Sequence, residues 1–187
     1  MVTGLELDFF YILLGAVSLL IAVSDFLFYK IPNFLVLVLI VLFLLKVLLF
    51  QELKDLTGPS MAFLSVIVIG FFLYHFKMFG AGDVKFFAVF SAWALDKEEF
   101  IMGFIFIAFF GALLAVIYLT FPTHIEILRN IGKRWAHKFF VLSSISEETK
   151  FLKELREKKG KKRIIIPYGV AVAAGCLKLV ITHLMNI

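Results

Sequence analysis

Two carboxylates stand inside strongly apolar sequence, and they are the residues best placed to do chemistry. One is Asp25, near the end of the first long apolar run. The other is Asp83, within Met78-Phe79-Gly80-Ala81-Gly82-Asp83-Val84-Lys85. An ionisable residue in membrane sequence is expensive and marks a functional site by default. The glycines around Ala81 let the backbone turn sharply and approach another helix or a ligand closely. Two carboxylates that meet in a low-dielectric site cannot both ionise easily, and they hold one proton as a coupled unit. Aspartic proteolysis runs on that arrangement: the ionised member takes a proton from water while the protonated member polarises the scissile carbonyl. The residues alone leave a second reading open, in which Asp83 only caps the following helix and each aspartate pairs separately, with Lys30 or Lys85.

Whatever positions these acids lies in a membrane. Of the 187 residues, 62% are hydrophobic and 24 are phenylalanine, against roughly 45–50% apolar residues in soluble domains. The net charge of +5 is unevenly placed, which reads as membrane topology and not as nucleic-acid binding. The one cysteine, Cys176, excludes an intramolecular disulfide and a four-cysteine zinc site, and no metal or cofactor is expected. Met1 to Asp8 carries Glu6 and Asp8 but no Lys or Arg, unlike the basic start of a signal peptide, so the first apolar run is expected to be a retained anchor.

A helix needs roughly 20 apolar residues to cross about 30 Å of hydrocarbon. The pattern predicts an all-α polytopic membrane protein with six transmembrane helices: Phe9 to Phe28, Phe34 to Phe50, Met61 to Phe76, Val84 to Leu95, Phe100 to Phe121 and Ile164 to Leu184. Pro32 disfavours helical geometry at Ile31, and Asn33 is a good N-cap for the second span. Thr57-Gly58-Pro59-Ser60 reads as a turn opening the third, and Pro122 ends the fifth. Between spans five and six lies the one long polar segment, about residues 124–163. In it Leu128, Ile131, Trp135, Phe139 and Leu142 recur at spacings of three and four among basic residues, as in an amphipathic helix on a membrane surface. Ser144 with Glu147 resembles a capping box for a weaker helix that ends at Gly160. Lys161-Lys162-Arg163 then anchors span six, with Pro167 near its first turn. The whole chain, 1–187, reads as a single membrane-embedded domain with this basic insertion.

Basic residues set the orientation. With the N-terminus outside, the inner loops hold Lys30, Lys77, Lys85 and the twelve Lys and Arg of the long segment, fifteen of the 19 in the chain. The positive-inside rule therefore gives N-out, C-out, with the basic loop in the cytoplasm. Lys46 and Lys178 lie inside apolar runs, snorkelling or facing other helices. Asp25 precedes Lys30 by five residues, which puts it about 7.5 Å below that anchor. Asp83 precedes the outer Asp96 by thirteen, a rise of about 20 Å, which leaves it about 10 Å below the inner boundary. Two separate measures along the chain thus bring both carboxylates to similar depth on the cytoplasmic side.

Taken together, Asp25…Lys30-Ile31-Pro32-Asn33, Gly80-Ala81-Gly82-Asp83-Val84-Lys85 and Ile166-Pro167-Tyr168-Gly169 resemble the type IV prepilin and archaeal preflagellin peptidases, six-span aspartic proteases of the Gly-x-Gly-Asp class. The resemblance implies Asp25 and Asp83 as the catalytic pair. It implies a pilin-like or archaellin precursor as substrate, cut at a short leader on the cytoplasmic side of the inner membrane. The larger bacterial members carry a tetracysteine domain and also methylate the new N-terminus. With one cysteine, this chain resembles the shorter, peptidase-only branch, and methylation is not expected. Gly80, Gly82 and Lys85 are expected in the supporting loop, with Lys85 more a headgroup anchor than a catalytic group. Pro32, Asn33, Pro167, Tyr168 and Gly169 are candidates for lining a substrate groove, with close helix packing as the other reading for the last three. His75 lies near the inner end of span three and is within conceivable reach of the pair. Gly111 with Ala115, and Ala171 with Gly175, suggest tight helix contacts. Anionic lipid headgroups are the expected partner of the basic segment.

Three other functions use the same residues. A presenilin-like intramembrane protease shares Gly-x-Gly-Asp, but no Pro-Ala-Leu motif is present. An ion or proton transporter would bind a cation between the carboxylates, but no paired broken helices occur in two corresponding halves. A non-enzymatic assembly factor would use the basic segment as a platform.

Overall fold

A computed structural model describes residues 4–50, 57–76, 79–94, 97–139 and 166–185. Every regular element among them is helical: α1 (Gly4–Phe28), α2 (Asn33–Phe50), α3 (Thr57–His75), α4 (Ala81–Trp93), α5 (Lys97–Thr120), α6 (Pro122–Phe139) and α7 (Tyr168–Met185). Four segments are long and apolar enough to cross a membrane: Leu7–Phe28, Asn33–Phe50, Lys97–Thr120 and Tyr168–Met185. The expected third span contains a shorter apolar helix, Ser60–His75, and the fourth coincides with α4, which has 13 residues. The molecule is a polytopic membrane protein by the length and composition of these helices.

The boundaries follow local chemistry, in places differently from expectation. At the end of α1, Tyr29 adopts a left-handed conformation with φ 54°, while its amide donates to the Asp25 carbonyl at 2.8 Å. The Ser24 hydroxyl donates to the Lys30 carbonyl at 3.0 Å and ties down the same turn. Asn33 is not the N-cap of α2. It is the first helical residue, and the Pro32 carbonyl accepts from the amides of Leu35 and Val36 at 3.1 and 3.4 Å. Thr57 to Ser60 form the first turn of α3 and not a separate turn, because proline is tolerated where its missing N–H would have no partner. Helix α5 starts at Lys97, with Glu98 and Glu99 favoured in its first turn by the helix dipole. Pro167 lies next to the first turn of α7, as expected, and its carbonyl accepts from the Val170 amide at 3.2 Å. The expected helix around Phe151 to Leu155, like Ser144 and Glu147, lies outside the described residues.

Helices α1, α2, α4 and α7 enclose the core, in which Leu14, Ile21, Leu39, Phe86, Phe90, Trp93 and Cys176 are fully buried. Helix α3 lies along α4, and α5 along α7. The outward faces are also apolar: Leu48, Phe71, Phe109 and Leu119 are all exposed. That exposure suits helices whose surroundings are lipid. Lys46 faces other helices rather than snorkelling. It is fully buried, with its ammonium 3.3 Å from the Tyr11 hydroxyl and 4.9 Å from that ring's centroid. The Tyr11 ring in turn stacks on His183 at 3.8 Å. These residues pin α1, α2 and α7 at the end of the bundle opposite Asp25.

Helix α6 occupies the first part of the segment read as amphipathic, and its two sides differ up to residue 134. Leu128 and Ile131 are exposed on one side. On the other, Gly132 meets Leu27, and Arg129 and Lys133 stand over the rings of Tyr29 and Phe28. A basic stripe, not the apolar one, docks on α1.

Close helix contacts make two glycines unequal. A methyl group at Gly103 would lie 2.5 Å from Cζ of Phe90, a fully buried ring with no room to swing. At Gly15 the nearest atom, in Val180, is 3.4 Å away, an ordinary contact. Gly103→Ala is therefore expected to destabilise by about 1–3 kcal/mol through overpacking. Gly15→Ala is expected to be neutral or to gain up to about 1 kcal/mol from helix propensity. Thermal unfolding of both variants in detergent measures the difference, and equal melting temperatures would refute this account of the packing.

Candidate active site

Asp25 lies in the last turn of α1, four residues before the left-handed Tyr29, and is 4% exposed. A carboxylate buried among apolar helices needs hydrogen-bond donors. Its donor is the Gly169 amide, 2.8 Å from Oδ2 and 144 positions away in sequence. Gly169 is the second residue of α7, so its N–H belongs to the first helical turn, where no intrahelical acceptor exists. The dipole of α7 adds to the attraction for a negative group there. Glycine is required for this approach, since a Cβ would lie 2.8 Å from both Asp25 Oδ2 and Ile31 Cδ1.

Asp83 is the third residue of α4 and is partly exposed. Its Oδ2 accepts from the Gly80 amide at 3.2 Å, which is half of a capping box, because glycine has no side chain to return the bond. Asp83 is therefore not the N-cap considered from sequence, which is Gly80, but it does satisfy one free amide at the start of α4. A Cβ at Gly80 would stand 2.8 Å from Asp83 Oδ2. Asp25 and Asp83 are close enough to interact electrostatically, and the Gly169 amide reaches towards Asp83 as well as Asp25. The structure therefore holds Asp25 on the Gly169 amide and Asp83 on the Gly80 amide, with the two carboxylates within electrostatic range of each other.

Ile31 holds the arrangement open. Its side chain meets Gly169 on one side and, at 3.1 Å from a Cβ built there, Gly82 on the other. A single branched residue thus sets the spacing between the starts of α4 and α7. Tyr168 stacks on Phe79 with centroids 5.0 Å apart and meets Gly111 of α5 with its edge, so this ring ties the Gly80 loop to both α5 and α7. Of the expected supporting loop, only Gly80 lies in a loop, whereas Gly82 and Lys85 are in the first turns of α4.

Lys85 and Asn33 stand apart from the acids. The Lys85 ammonium donates to the Asn33 side-chain oxygen at 3.2 Å on the exposed surface and straps α4 to α2. Pro32 precedes this strap and Pro167 is buried before α7. His75 is exposed at the end of α3 with its ring against Phe76, and it does not join the carboxylates. Among the described residues no cluster of His, Cys, Asp and Glu is placed to hold a metal ion. Sequence reasoning gave no role to Tyr29 or Tyr118 and named Ile31, Phe79 and Arg129 only within longer motifs, not as neighbours of the acids. Tyr118 carried the one available signal, a polar tip near the C-terminal end of an apolar run.

Comparison with curated proteins and with solved structures finds no match. A family model described as type IV leader peptidase matches residues 12–119. That range holds both aspartates, the Ile31 turn and the Gly80 stretch, while Pro167-Tyr168-Gly169 lies beyond it. The match covers more than half of the chain, and the chain belongs to the type IV leader peptidase family.

Proposed function

We propose that the protein is a membrane aspartic endopeptidase with Asp25 and Asp83 as its catalytic pair. It removes the short leader of type IV pilin-like or archaellin precursors at the cytoplasmic face of the inner membrane, without methylating the product. The observation that supports this reading is the nearness of two carboxylates at the end of the bundle, Asp25 held by the Gly169 amide and Asp83 by the Gly80 amide. The pair holds one proton. The ionised carboxylate takes a proton from a water molecule as its oxygen adds to the scissile carbonyl, and the protonated one donates to the carbonyl oxygen. Collapse of the tetrahedral diol breaks the C–N bond, and a proton passes to the departing amine. Products are a leader carboxylate and a free amino terminus, with the pair restored.

The recessed position also constrains the substrate. A helical peptide hides its carbonyls in hydrogen bonds, so the scissile bond lies just before the substrate's own membrane helix. That apolar helix packs laterally against the protease, with the leader at the surface. The six-span, N-out/C-out topology and a single domain over 1–187 belong to the same proposal, as do anionic lipid headgroups at the basic segment. The basic α6 and the acidic start of α5 support that orientation.

Replacement of either acid tests the pair. Asp25→Asn and Asp83→Asn each preserve size and are expected to lower precursor cleavage by more than about a hundredfold while inserting and unfolding like the parent. The readout is the mobility shift of a co-expressed precursor, followed by the mass of the product's amino terminus, expected without an added methyl. Near-normal cleavage by either variant removes that residue from the chemistry.

Orientation is checked with single cysteines. Asn130→Cys on α6 is expected to react with a membrane-impermeant thiol reagent only from the cytoplasmic side, and Lys97→Cys only from outside. Cys176 is fully buried and stays in place. Labelling of Asn130→Cys in intact cells would reverse the topology and remove the site from the cytoplasmic face.

A further inference from the structure

Asp83 stands in the first turn of α4, and three contacts hold the start of that helix in place. Gly70 of α3 lies against the Val84 side chain. Gly82 meets Ile31, whose Cβ is 3.1 Å from the position a Cβ would take there. The Lys85 ammonium donates to the Asn33 side-chain oxygen at 3.2 Å. The second and third contacts both come from one short stretch, residues 29–33, which begins four positions after Asp25. That stretch is itself fixed to the end of α1. The Tyr29 amide donates to the Asp25 carbonyl at 2.8 Å, and the Ser24 hydroxyl to the Lys30 carbonyl at 3.0 Å. A chain of close contacts therefore runs from the backbone of one acid to the backbone of the other. Ile31 acts in it as a spacer, because a buried branched side chain resists compression. The bond between Asn33 and Lys85 acts in the opposite sense, because it resists separation.

We propose that Asn33 and Lys85 are positioning residues for the catalytic pair: their hydrogen bond draws the start of α4 onto the Ile31 spacer and so fixes Asp83 relative to Asp25. The proposal rests on the peptidase reading above. Both side chains are exposed and act through α4, not on the reacting atoms. Asn33 is the first residue of α2 and not its cap, so its side-chain oxygen is not spent on a helix start. A lysine that only anchored the helix to lipid phosphate would need no asparagine opposite it, whereas a tie needs both partners. The size of the effect is bounded by the bond itself. A tie raises the share of molecules with Asp83 in place by no more than its own net strength, which for one hydrogen bond is roughly two- to tenfold.

The test measures kcat and KM of the full chain in neutral detergent, with a precursor that the parent protein cleaves. Asn33→Ala and Lys85→Met each cut the tie. Each is expected to lower kcat roughly two- to tenfold with KM within about twofold, because the acids are displaced while the peptide's contacts are kept. The double variant is expected to be no slower than the slower single one, since one bond can be lost only once. Asn33→Asp keeps an acceptor for the ammonium and is expected to stay within about twofold of the parent kcat. Parent-like kcat for Asn33→Ala, beside inactive Asp25→Asn and Asp83→Asn, overturns the positioning role and leaves the peptidase reading standing. A double variant whose loss is the product of the two single losses also overturns it, because the two residues then act separately. So does a rise in KM at constant kcat, which places them in substrate binding, or a fall in melting temperature of more than about 5 °C, which makes them structural. Undiminished cleavage by the Asp→Asn variants ends the peptidase reading, and the positioning role with it.

Discussion

The hydrogen bond from the Gly169 amide to the Asp25 carboxylate is the contact on which this end of the helix bundle depends. Within a bilayer there is no bulk water to solvate a buried carboxylate, so protein donors must do it. A helix start supplies such a donor without a side chain, but only if the backbone comes within 2.8 Å of the acid. That distance requires glycine, and it requires α1 and α7 to pack closely along their length. The apolar contacts of Leu14, Ile21, Cys176, Leu179 and Val180 provide that packing. The polar bond and the apolar seam therefore depend on each other: the seam sets the distance, and the bond removes the penalty of burying Asp25 there.

The opposite end is built on the same constraint with different chemistry. Lys46 is as deeply buried as any residue in the chain, and the faces of Tyr11 and Trp93 receive its charge at 4.9 and 5.9 Å. The Trp93 indole N–H reaches across to the Leu39 carbonyl at 3.3 Å, and His183 approaches Asp8 at 3.5 Å. One polar pin thus sits at each end of an apolar bundle. The pins resist sliding of one helix past another, which apolar contact alone specifies poorly in lipid. Fixed register matters at the acids, because a shift by one residue along α7 would move the Gly169 amide away from Asp25.

How much of this was legible in the sequence divides by the range of the signal. Four of the six expected spans were readable because hydrocarbon thickness sets their length, whereas the apolar part of α3 and all of α4 are shorter than a full crossing. Asp25 and Asp83 stood out because charge is rare in such runs. The basic α6 announced itself by its three-and-four spacing. Local rules failed where two were in competition. Thr57 to Ser60 contain turn residues that also suit a first helical turn, and Asn33 is a good cap that the Pro32 carbonyl made unnecessary. The contacts that organise the site left almost no local trace. Ile31 between Gly82 and Gly169, or a backbone amide 144 residues from its acid, depends on how helices cross. Pro167-Tyr168-Gly169 was readable only as a possible groove or a packing motif, and the structure makes its glycine the donor to Asp25.

The two carboxylates are not equivalent, and the difference bears on how a peptide and a water molecule would reach them. Asp25 is sealed beneath α7 and Ile31, whereas Asp83 is partly exposed at the start of α4. Each holds its Oδ2 to a backbone amide, Gly169 in one case and Gly80 in the other. In the proposed reaction a substrate would therefore approach past Asp83, the more exposed acid, near the region where Phe79 stacks on Tyr168. Both flanking positions that a side chain would obstruct, Gly80 and Gly82, lie on this path, and Gly82 is already in contact with Ile31. The glycines thus have a second consequence beyond the turn they allow. They keep the open side of the pair narrow in side chains while the backbone amides hold both acids in place, so an extended backbone can come close and a helix, wider by its side chains, cannot.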